Sequence, residues 1–407
     1  MRNLVTLSAL ALTLALPATA QEGAGPVTPT SVVASASDEE WVMISPEDML
    51  VMELAPDLRG NPRTVVIQLM PAPFSQPWVE NIRTLARAQW WDGTSVNRVQ
   101  DNYVAQWGDA TEAKPLPEGV KSPVADYEVD VDTLGNADVP SNTRPSDFEN
   151  LPEAIRDVFK NPASTHEEHI KAVDALMAAA GIDGGSGFTP SEQLAMLSID
   201  STQTRLTEQG WHDRDGYAPW VEFWNGWPIG NEETGVHWED DEGNIVEDPG
   251  KRLPPQQFDA PYEVVESSLF WPIHCYSYIG VARDYAPDTG TGAELYTIIG
   301  QPQRHMDRNL AVVGRVIEGM EHLSSLTRGS GDLGFYTEEE ADLRTPILSV
   351  RLASQMDAPP PYEYLSTESE TFARYVAVRA NRDDAFYTQP AGGVDVCSVH
   401  VPVRRAD

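Results

Sequence analysis

The stretch WWDGTSVNRVQDNYVAQWGD, residues 90–109, decides how the rest of the chain is interpreted. It opens with two tryptophans and an Asp92-Gly93 dipeptide, which is typical of a tight turn. Apolar and β-branched residues then recur in two short runs between Val96 and Ala105, as expected for a pair of strands. Taken alone, the stretch predicts an ordinary β-hairpin that carries an arginine, Arg98, and a glutamine, Gln106.

The residues before this stretch predict two strands and a helix. Leu50 to Leu54 and Thr64 to Leu69 are rich in aliphatic and β-branched residues, which favour strands. From Pro77 onward the apolar residues fall at helical spacing, and a proline is well tolerated in the first turn of a helix. The apolar positions of this helix are Val79, Ile82, Leu85 and Ala86.

This order of strands, helix, turn and strand pair resembles the N-terminal half of the cyclophilin-type peptidyl-prolyl isomerases. The family motifs V-E-N-F and F-H-R-V-I-x-G-F-x-x-Q-G-G-D have counterparts here at residues 79–82, VENI, at 96–99, VNRV, and at 103–109, YVAQWGD. A second block resumes the resemblance near residue 269, and residues 312–320, VVGRVIEGM, are similar to the family's V-F-G-R-V-V-E-G-M.

The resemblance implies a mainly β fold, an eight-stranded antiparallel barrel capped by two helices. It also implies a large mixed insertion and a C-terminal extension, because the two blocks are far apart in the chain. The first half of the barrel would occupy residues 39–109 and the second half residues 260–352, with the insertion at 110–259 and the extension at 353–407.

The resemblance further implies an enzyme, a peptidyl-prolyl cis–trans isomerase that needs no cofactor and no metal. Arg98 would be the catalytic hydrogen-bond donor, and Gln106 would hydrogen-bond the backbone of a proline-containing polypeptide. The implied substrate-binding positions are Tyr103, Val104, Leu295, Tyr296, His305, Met306 and Leu310. The alternative function is a non-catalytic proline-peptide-binding module or chaperone on the same barrel.

Five positions depart from the family pattern around the groove. His305 stands at the place of a rim tryptophan, and Leu310 stands at that of a histidine. Asn97 replaces a histidine, Glu294 replaces a glutamine, and Arg283 replaces an asparagine. We therefore expect an altered groove rim beside a retained arginine.

The insertion is rich in proline, glycine and acidic residues. Thr165 with Glu168 forms a capping-box pattern that predicts the start of a helix. An aromatic run at 211–227 contains Asn225-Gly226, a hairpin signal. This run predicts the small core of the insertion, with stacking of Trp224 or Trp227 on a sugar as the alternative.

The N-terminus predicts export from the cytoplasm. Arg2 precedes an apolar run at 4–16 and an A-x-A pattern at 18–20, the arrangement of a cleavable signal peptide at residues 1–20. Residues 21–38 read as a flexible lead-in. We expect a periplasmic location, with secretion as the alternative, and no later segment is apolar enough to predict insertion into a membrane.

The net charge bears on the binding partners of the chain, and the cysteine content bears on disulfide formation. The chain has 63 acidic and 28 basic side chains, a formal net charge of −35, which disfavours binding to nucleic acid. Cys275 and Cys397, the two cysteines of the chain, allow one disulfide in an oxidising compartment or two buried thiols. We expect a monomer that binds polypeptides.

Overall fold

The computed structural model describes residues 27–111, 113–130, 215–239, 245–246, 264–382, 386–389 and 391–406. The predicted signal peptide and the helix predicted to start after Thr165 lie outside these ranges, as does most of the predicted insertion.

The described elements are mainly strands. The strands are β1 (Trp41–Met43), β2 (Met49–Leu54), β3 (Arg63–Leu69), β4 (Ser95–Val99), β5 (Val104–Gly108), β6 (Val129–Asp130), β7 (Trp220–Trp224), β8 (Trp227–Glu239), β9 (Ile245–Val246), β10 (Val264–Pro272), β11 (Tyr278–Val281), β12 (Leu295–Ile298), β13 (Val312–Glu318), β14 (Thr345–Leu352), β15 (Tyr362–Leu365) and β16 (Val403–Arg405). The α-helices are α1 (Pro29–Val33), α2 (Gln76–Arg87), α3 (Glu321–Ser324) and α4 (Glu370–Ala380).

Eight of these strands close into a barrel in the order β11-β12-β5-β4-β14-β2-β3-β13. Each strand pairs antiparallel with its neighbours. The predicted mainly β fold with an eight-stranded antiparallel barrel is therefore confirmed. Helices α2 and α3 both contact barrel strands.

Helix α2 covers the barrel with its apolar side. Val79, Ile82 and Leu85 are fully buried because positions three and four apart lie on the same face of a helix. The indole Nε1 of Trp78 donates to the backbone oxygen of Thr289 over 3.0 Å. The helix is thus fastened to the segment that precedes β12.

Strands β2 and β3 are buried on both faces. Leu50 and Met52 belong to the main core cluster, whereas Met49 and Val51 belong to a second cluster with Tyr362 and other residues of the C-terminal extension. Successive residues of a strand point to opposite faces, so the extension must cover the outer face of these two strands. This explains why β2 is an almost continuous apolar run rather than an alternating one.

The C-terminal extension is held to the barrel by several contacts. Its strand β15 pairs with β1 on one side and β16 on the other, and a disulfide joins Cys275 to Cys397. Cys275 lies in the segment between β10 and β11, and the bond links residues 122 positions apart. The tail is therefore fixed next to the start of β11.

A second sheet contains the five strands β6 to β10, none of which belongs to the barrel. Its β7–β8 hairpin turns at Asn225 and Gly226, where the sequence predicts a turn. Trp224 is 2% and Trp227 0% exposed, so the sugar-stacking alternative is wrong for these rings. They are core residues, but they pack in the main core cluster with residues of the barrel rather than in a separate small core of the insertion. The sheet continues to Pro272, beyond the predicted end of the insertion at residue 259.

The helices of the described residues include no candidate for a membrane span, because none combines sufficient length with sufficient apolar character.

Candidate active site

Arg98 and Gln106 face each other on neighbouring barrel strands. They are register partners on β4 and β5, and directly opposed residues of an antiparallel pair share one face of the sheet. An Nη1 hydrogen of Arg98 donates to Oε1 of Gln106 over 3.1 Å. The structure therefore brings together the two residues that the sequence predicts to be catalytic.

The guanidinium of Arg98 is held by two further hydrogen bonds. Nη2 donates to Oε1 of Gln100 over 2.6 Å, and Nε donates to the backbone oxygen of Leu333 over 2.7 Å. An arginine has five N–H donors, so these bonds leave two donors. Burial lowers the pKa of Arg98, but an arginine side chain stays protonated at neutral pH.

Two aromatic rings flank this guanidinium. Its central carbon lies 5.5 Å from the ring centroid of Tyr103 and 5.3 Å from that of Phe335. Both distances are within the range of cation–π attraction. The ring pair and the three hydrogen bonds together fix the plane of the guanidinium.

Leu333 and Phe335 are site residues that the sequence analysis missed. They lie on the 329–335 loop, which returns to β4 through an isolated β-bridge between Arg98 and Phe335. Leu333 is 65% and Phe335 39% exposed. The glycine-rich sequence of residues 329–334 indicates a loop, but no local pattern says that this loop meets Arg98.

An apolar cluster adjoins the Arg98–Gln106 pair, because Tyr296 on β12 is the register partner of Gln106. We call it the Tyr296 cluster. It consists of buried Val104, Tyr296, Ile298 and Met306 with partly buried Tyr103, Ala282 and Leu310. The hydroxyl of Tyr103 lies 3.2 Å from the sulfur of Met306. Five predicted substrate-binding residues meet in this cluster, namely Tyr103, Val104, Tyr296, Met306 and Leu310.

The other two predicted substrate-binding residues, His305 and Leu295, lie outside the Tyr296 cluster. His305 is exposed at the edge of the cluster, where its ring stacks on Tyr103 at a centroid distance of 6.3 Å. Leu295 is 2% exposed and packs in the main core. Because neighbouring residues of a strand point to opposite faces, Leu295 faces away from the side to which Tyr296 contributes. The structure therefore does not support the substrate-binding role predicted for Leu295.

Two of the departures from the family pattern, Asn97 and Glu294, lie next to Gln106. Asn97 approaches Glu294 with an Nδ2 to Oε2 distance of 3.5 Å, and the buried Asn97 Oδ1 has no hydrogen-bond partner among the residues that the structure describes. Burial raises the pKa of Glu294, and hydrogen bonds from Asn97, the Asp109 backbone and Gln106 oppose that rise only in part. Arg283 lies at the exposed side, where it donates to the backbone oxygens of Asp284 and Asn309.

Comparison with known proteins gives a likeness to solved structures. No family model matches the sequence, and no curated protein matches it. Among solved structures, the chain is similar to the crystal structure of cyclophilin AquaCyp293 from Hirschia baltica. The two share 19% sequence identity with a TM-score of 0.48, over 94% of this chain and 99% of that chain.

The fold is a cyclophilin-like barrel. Two observations support this assignment, the closed ring of eight antiparallel strands and the two blocks of sequence that contain the family motifs. In the barrel those blocks become neighbours, because β12 from the second block pairs with β5 from the first.

Proposed function

We propose that this chain is a peptidyl-prolyl cis–trans isomerase that acts on exported polypeptides. The observation that carries the proposal is the Arg98–Gln106 pair, which adjoins an apolar cluster through the register pairing of Gln106 with Tyr296. The arginine lies at the protein surface, only partly buried. A charged donor next to an apolar cluster is the combination that rotation of a prolyl bond requires.

The chemistry follows from the electronic structure of the peptide bond. Partial double-bond character sets a rotation barrier of roughly 18–20 kcal/mol. In the twisted transition state the prolyl nitrogen regains a lone pair, which can accept a hydrogen bond from Arg98. Because this bond is stronger in the twisted state than in the planar one, it lowers the barrier.

The magnitudes indicate that Arg98 does not act alone. A charge-assisted hydrogen bond contributes about 1.5–3 kcal/mol, and each tenfold in rate requires about 1.4 kcal/mol. One donor therefore accounts for about a 10- to 100-fold acceleration. Gln106 would hold the substrate backbone, and the Tyr296 cluster would bind the proline ring and exclude water from the bond.

The proposed compartment is the periplasm, with secretion as the alternative. The signal-peptide pattern of residues 1–20 supports export. The Cys275–Cys397 disulfide is consistent with an oxidising compartment, since such bonds are rare in the cytosol. Fractionation of cells that express the full chain, followed by mass spectrometry of its N-terminus, tests this part.

The test of the activity is exchange NMR on a blocked Ala-Ala-Pro-Phe peptide, with the wild type and Arg98→Ala compared at equal concentrations. We expect Arg98→Ala to lower kcat/KM about 10- to 100-fold. Arg87→Ala on helix α2 is the matched control, because Arg87 is half-exposed and has only a 3.4 Å contact with Glu47. Equal background rates for the wild type and Arg98→Ala would exclude the isomerase.

One observation favours a second candidate, a proline-peptide-binding module without catalysis. Each of the three guanidinium nitrogens of Arg98 already donates to a protein acceptor. Two N–H hydrogens of Arg98 remain. If neither of them points at the prolyl nitrogen in the complex, Arg98 orders the groove without donating to that nitrogen. In that case the wild-type protein binds the blocked Ala-Ala-Pro-Phe peptide in a calorimetric titration but does not change the rate at which the peptide isomerises.

A further inference from the structure

A buried hydrogen-bond network lies behind the Tyr296 cluster, and neither the sequence motifs nor the proposed chemistry accounts for it. His274, 1% exposed, precedes Cys275 in the segment that enters β11. Its Nε2 lies 3.1 Å from the hydroxyl oxygen of Tyr296, and its Nδ1 lies 2.9 Å from Oδ1 of Asp307. The imidazole therefore bridges a carboxylate and the phenol of the proposed pocket.

Asp307 fixes the orientation of this imidazole. Its Oδ1 also accepts the backbone N–H of His274 over 2.9 Å, and its Oδ2 accepts from Nε of Arg304 over 2.7 Å. A carboxylate next to Nδ1 requires a hydrogen on that nitrogen, so in the neutral imidazole Nε2 holds a lone pair. Nε2 then accepts the hydroxyl hydrogen of Tyr296.

The network extends into the segment that the sequence assigns to the insertion. Arg304 donates from Nη1 and Nη2 to the two carboxylate oxygens of Asp215 over 2.6 and 2.9 Å. Asp215 precedes β7, and both partners of this ion pair are largely buried. The second sheet is thereby anchored to the same network that holds Tyr296.

Gly280 leaves the space that the hydroxyl of Tyr296 occupies, because it has no side chain. A Cβ atom on Gly280 of β11 would lie 2.2 Å from the hydroxyl oxygen, so any other residue at this position would displace the phenol. The ring itself packs with Val104, Ile298 and Met306. One end of Tyr296 is thus set by apolar packing and the other by a hydrogen bond, which a buried hydroxyl requires.

We propose that His274, oriented by Asp307, is a positioning residue that holds the ring of Tyr296 in the conformation that receives the proline ring. This role rests on the proposed function, since it assigns the Tyr296 cluster to proline binding. His274 acts only through Tyr296. Without the imidazole, the hydroxyl must seek another partner, and the ring must leave its place in the cluster.

The test compares binding of a blocked Ala-Ala-Pro-Phe peptide by calorimetry in the wild type, His274→Leu and Gly280→Ala. We expect both variants to weaken the affinity about tenfold, which corresponds to about 1.4 kcal/mol. Gly280→Ala displaces the same hydroxyl without altering the histidine. His322→Leu, a histidine in α3 outside the network, should bind as the wild type does.

Two readouts separate positioning from a general structural role. The ring of selectively labelled Tyr296 should flip faster in His274→Leu than in the wild type. In a Tyr296→Phe background, His274→Leu should change the affinity less than twofold, because the hydroxyl that it holds is gone.

The failures of the two proposals differ. Peptide binding that is unchanged in both His274→Leu and Gly280→Ala, or a Tyr296 ring that flips no faster in His274→Leu, overturns the positioning role and leaves the proposed function standing. A wild type that binds no proline peptide overturns the proposed function and the positioning role together.

Discussion

Arg98 and Arg315 are two arginines with almost the same local surroundings and very different exposure. Each donates to the glutamine that is its register partner on the next barrel strand, Gln106 for Arg98 and Gln68 for Arg315. Each also donates to a backbone oxygen. Neither has a carboxylate partner among the residues that the structure describes.

Aromatic rings complete the parallel. Arg315 lies 4.6 Å from the ring centroid of Trp227 and 5.9 Å from that of Tyr364, much as Arg98 lies between Tyr103 and Phe335. Arg315 is 4% exposed, however, and its Nη2 is buried without a hydrogen-bond partner in the described part of the chain.

The difference comes from what covers each arginine. Trp227 of the second sheet and Tyr364 of the C-terminal extension cover Arg315, and a cavity of about 220 Å³ between the barrel and the tail, lined by Arg315 and both cysteines, lies beside it. Tyr103 and the loop with Leu333 and Phe335 flank Arg98, which stays only partly buried. The same set of contacts therefore stabilises the fold where it is closed and leaves donors for a ligand where it is open.

The largest expected effect is on stability at the closed arginine. Arg315→Met should lower the free energy of unfolding by about 3 kcal/mol, because it leaves the buried acceptors on Gln68 and Gly226 unpaired. Arg98→Met at the surface should lower it by less than about 1 kcal/mol while abolishing most isomerase activity. Urea unfolding of both variants beside the wild type measures this contrast. Equal stability losses would remove the distinction between the two arginines.

The Arg98–Gln106 pair is predictable from the sequence, but the residues that surround Arg98 are not. The pairing of Arg98 with Gln106 follows from two short strands and a tight turn, which are local features. The backbone oxygen of Leu333, 235 residues away in the chain, accepts a hydrogen bond from Nε of Arg98, and no local pattern encodes such a contact. The contacts of His274 are not predictable from the sequence for the same reason. Its partners, Tyr296 on β12 and Asp307 in the turn before Asn309, are distant from it in the chain.

The structure departs from the prediction for Leu295 for a different reason. Its neighbour Tyr296 matches a family position that lines the pocket, and the prediction includes both residues. The period of two along a strand places their side chains on opposite faces, so strand periodicity already indicates that Leu295 and Tyr296 do not line the same pocket.

The next effect concerns the aromatic ring over each arginine. Phe335→Ser should lower kcat/KM about twofold to fivefold with little change in stability, because an exposed cation–π contact contributes about 0.5–1 kcal/mol. Tyr364→Ser, which removes a buried ring over Arg315, should lower stability and leave the intrinsic rate of the folded protein unchanged. Exchange NMR and urea unfolding of both variants measure the two quantities. A rate loss in Tyr364→Ser without a loss of stability would contradict the division.

The smallest expected effect concerns Glu294, a half-buried carboxylate beside Gln106 that forms no ion pair with Arg98 in the described residues. Burial raises its pKa in the folded chain, whereas the unfolded chain has the ordinary value of about 4.3. Folding therefore favours the protonated form. The resulting stabilisation is complete below the unfolded pKa and is lost as the pH rises through the folded one.

Glu294→Gln should accordingly be more stable than the wild type at pH 7, and this advantage should disappear toward pH 4, where the wild-type carboxyl is protonated. Urea midpoints measured across this range test the prediction, with Glu118→Gln on an exposed loop as the control that should change little. A Gln variant with no advantage at pH 7 would mean that the ionised carboxylate is solvated. In that case the open site tolerates a charge of either sign because water reaches it, and the exposure of Arg98, rather than its hydrogen-bond partners, becomes the property that separates it from Arg315.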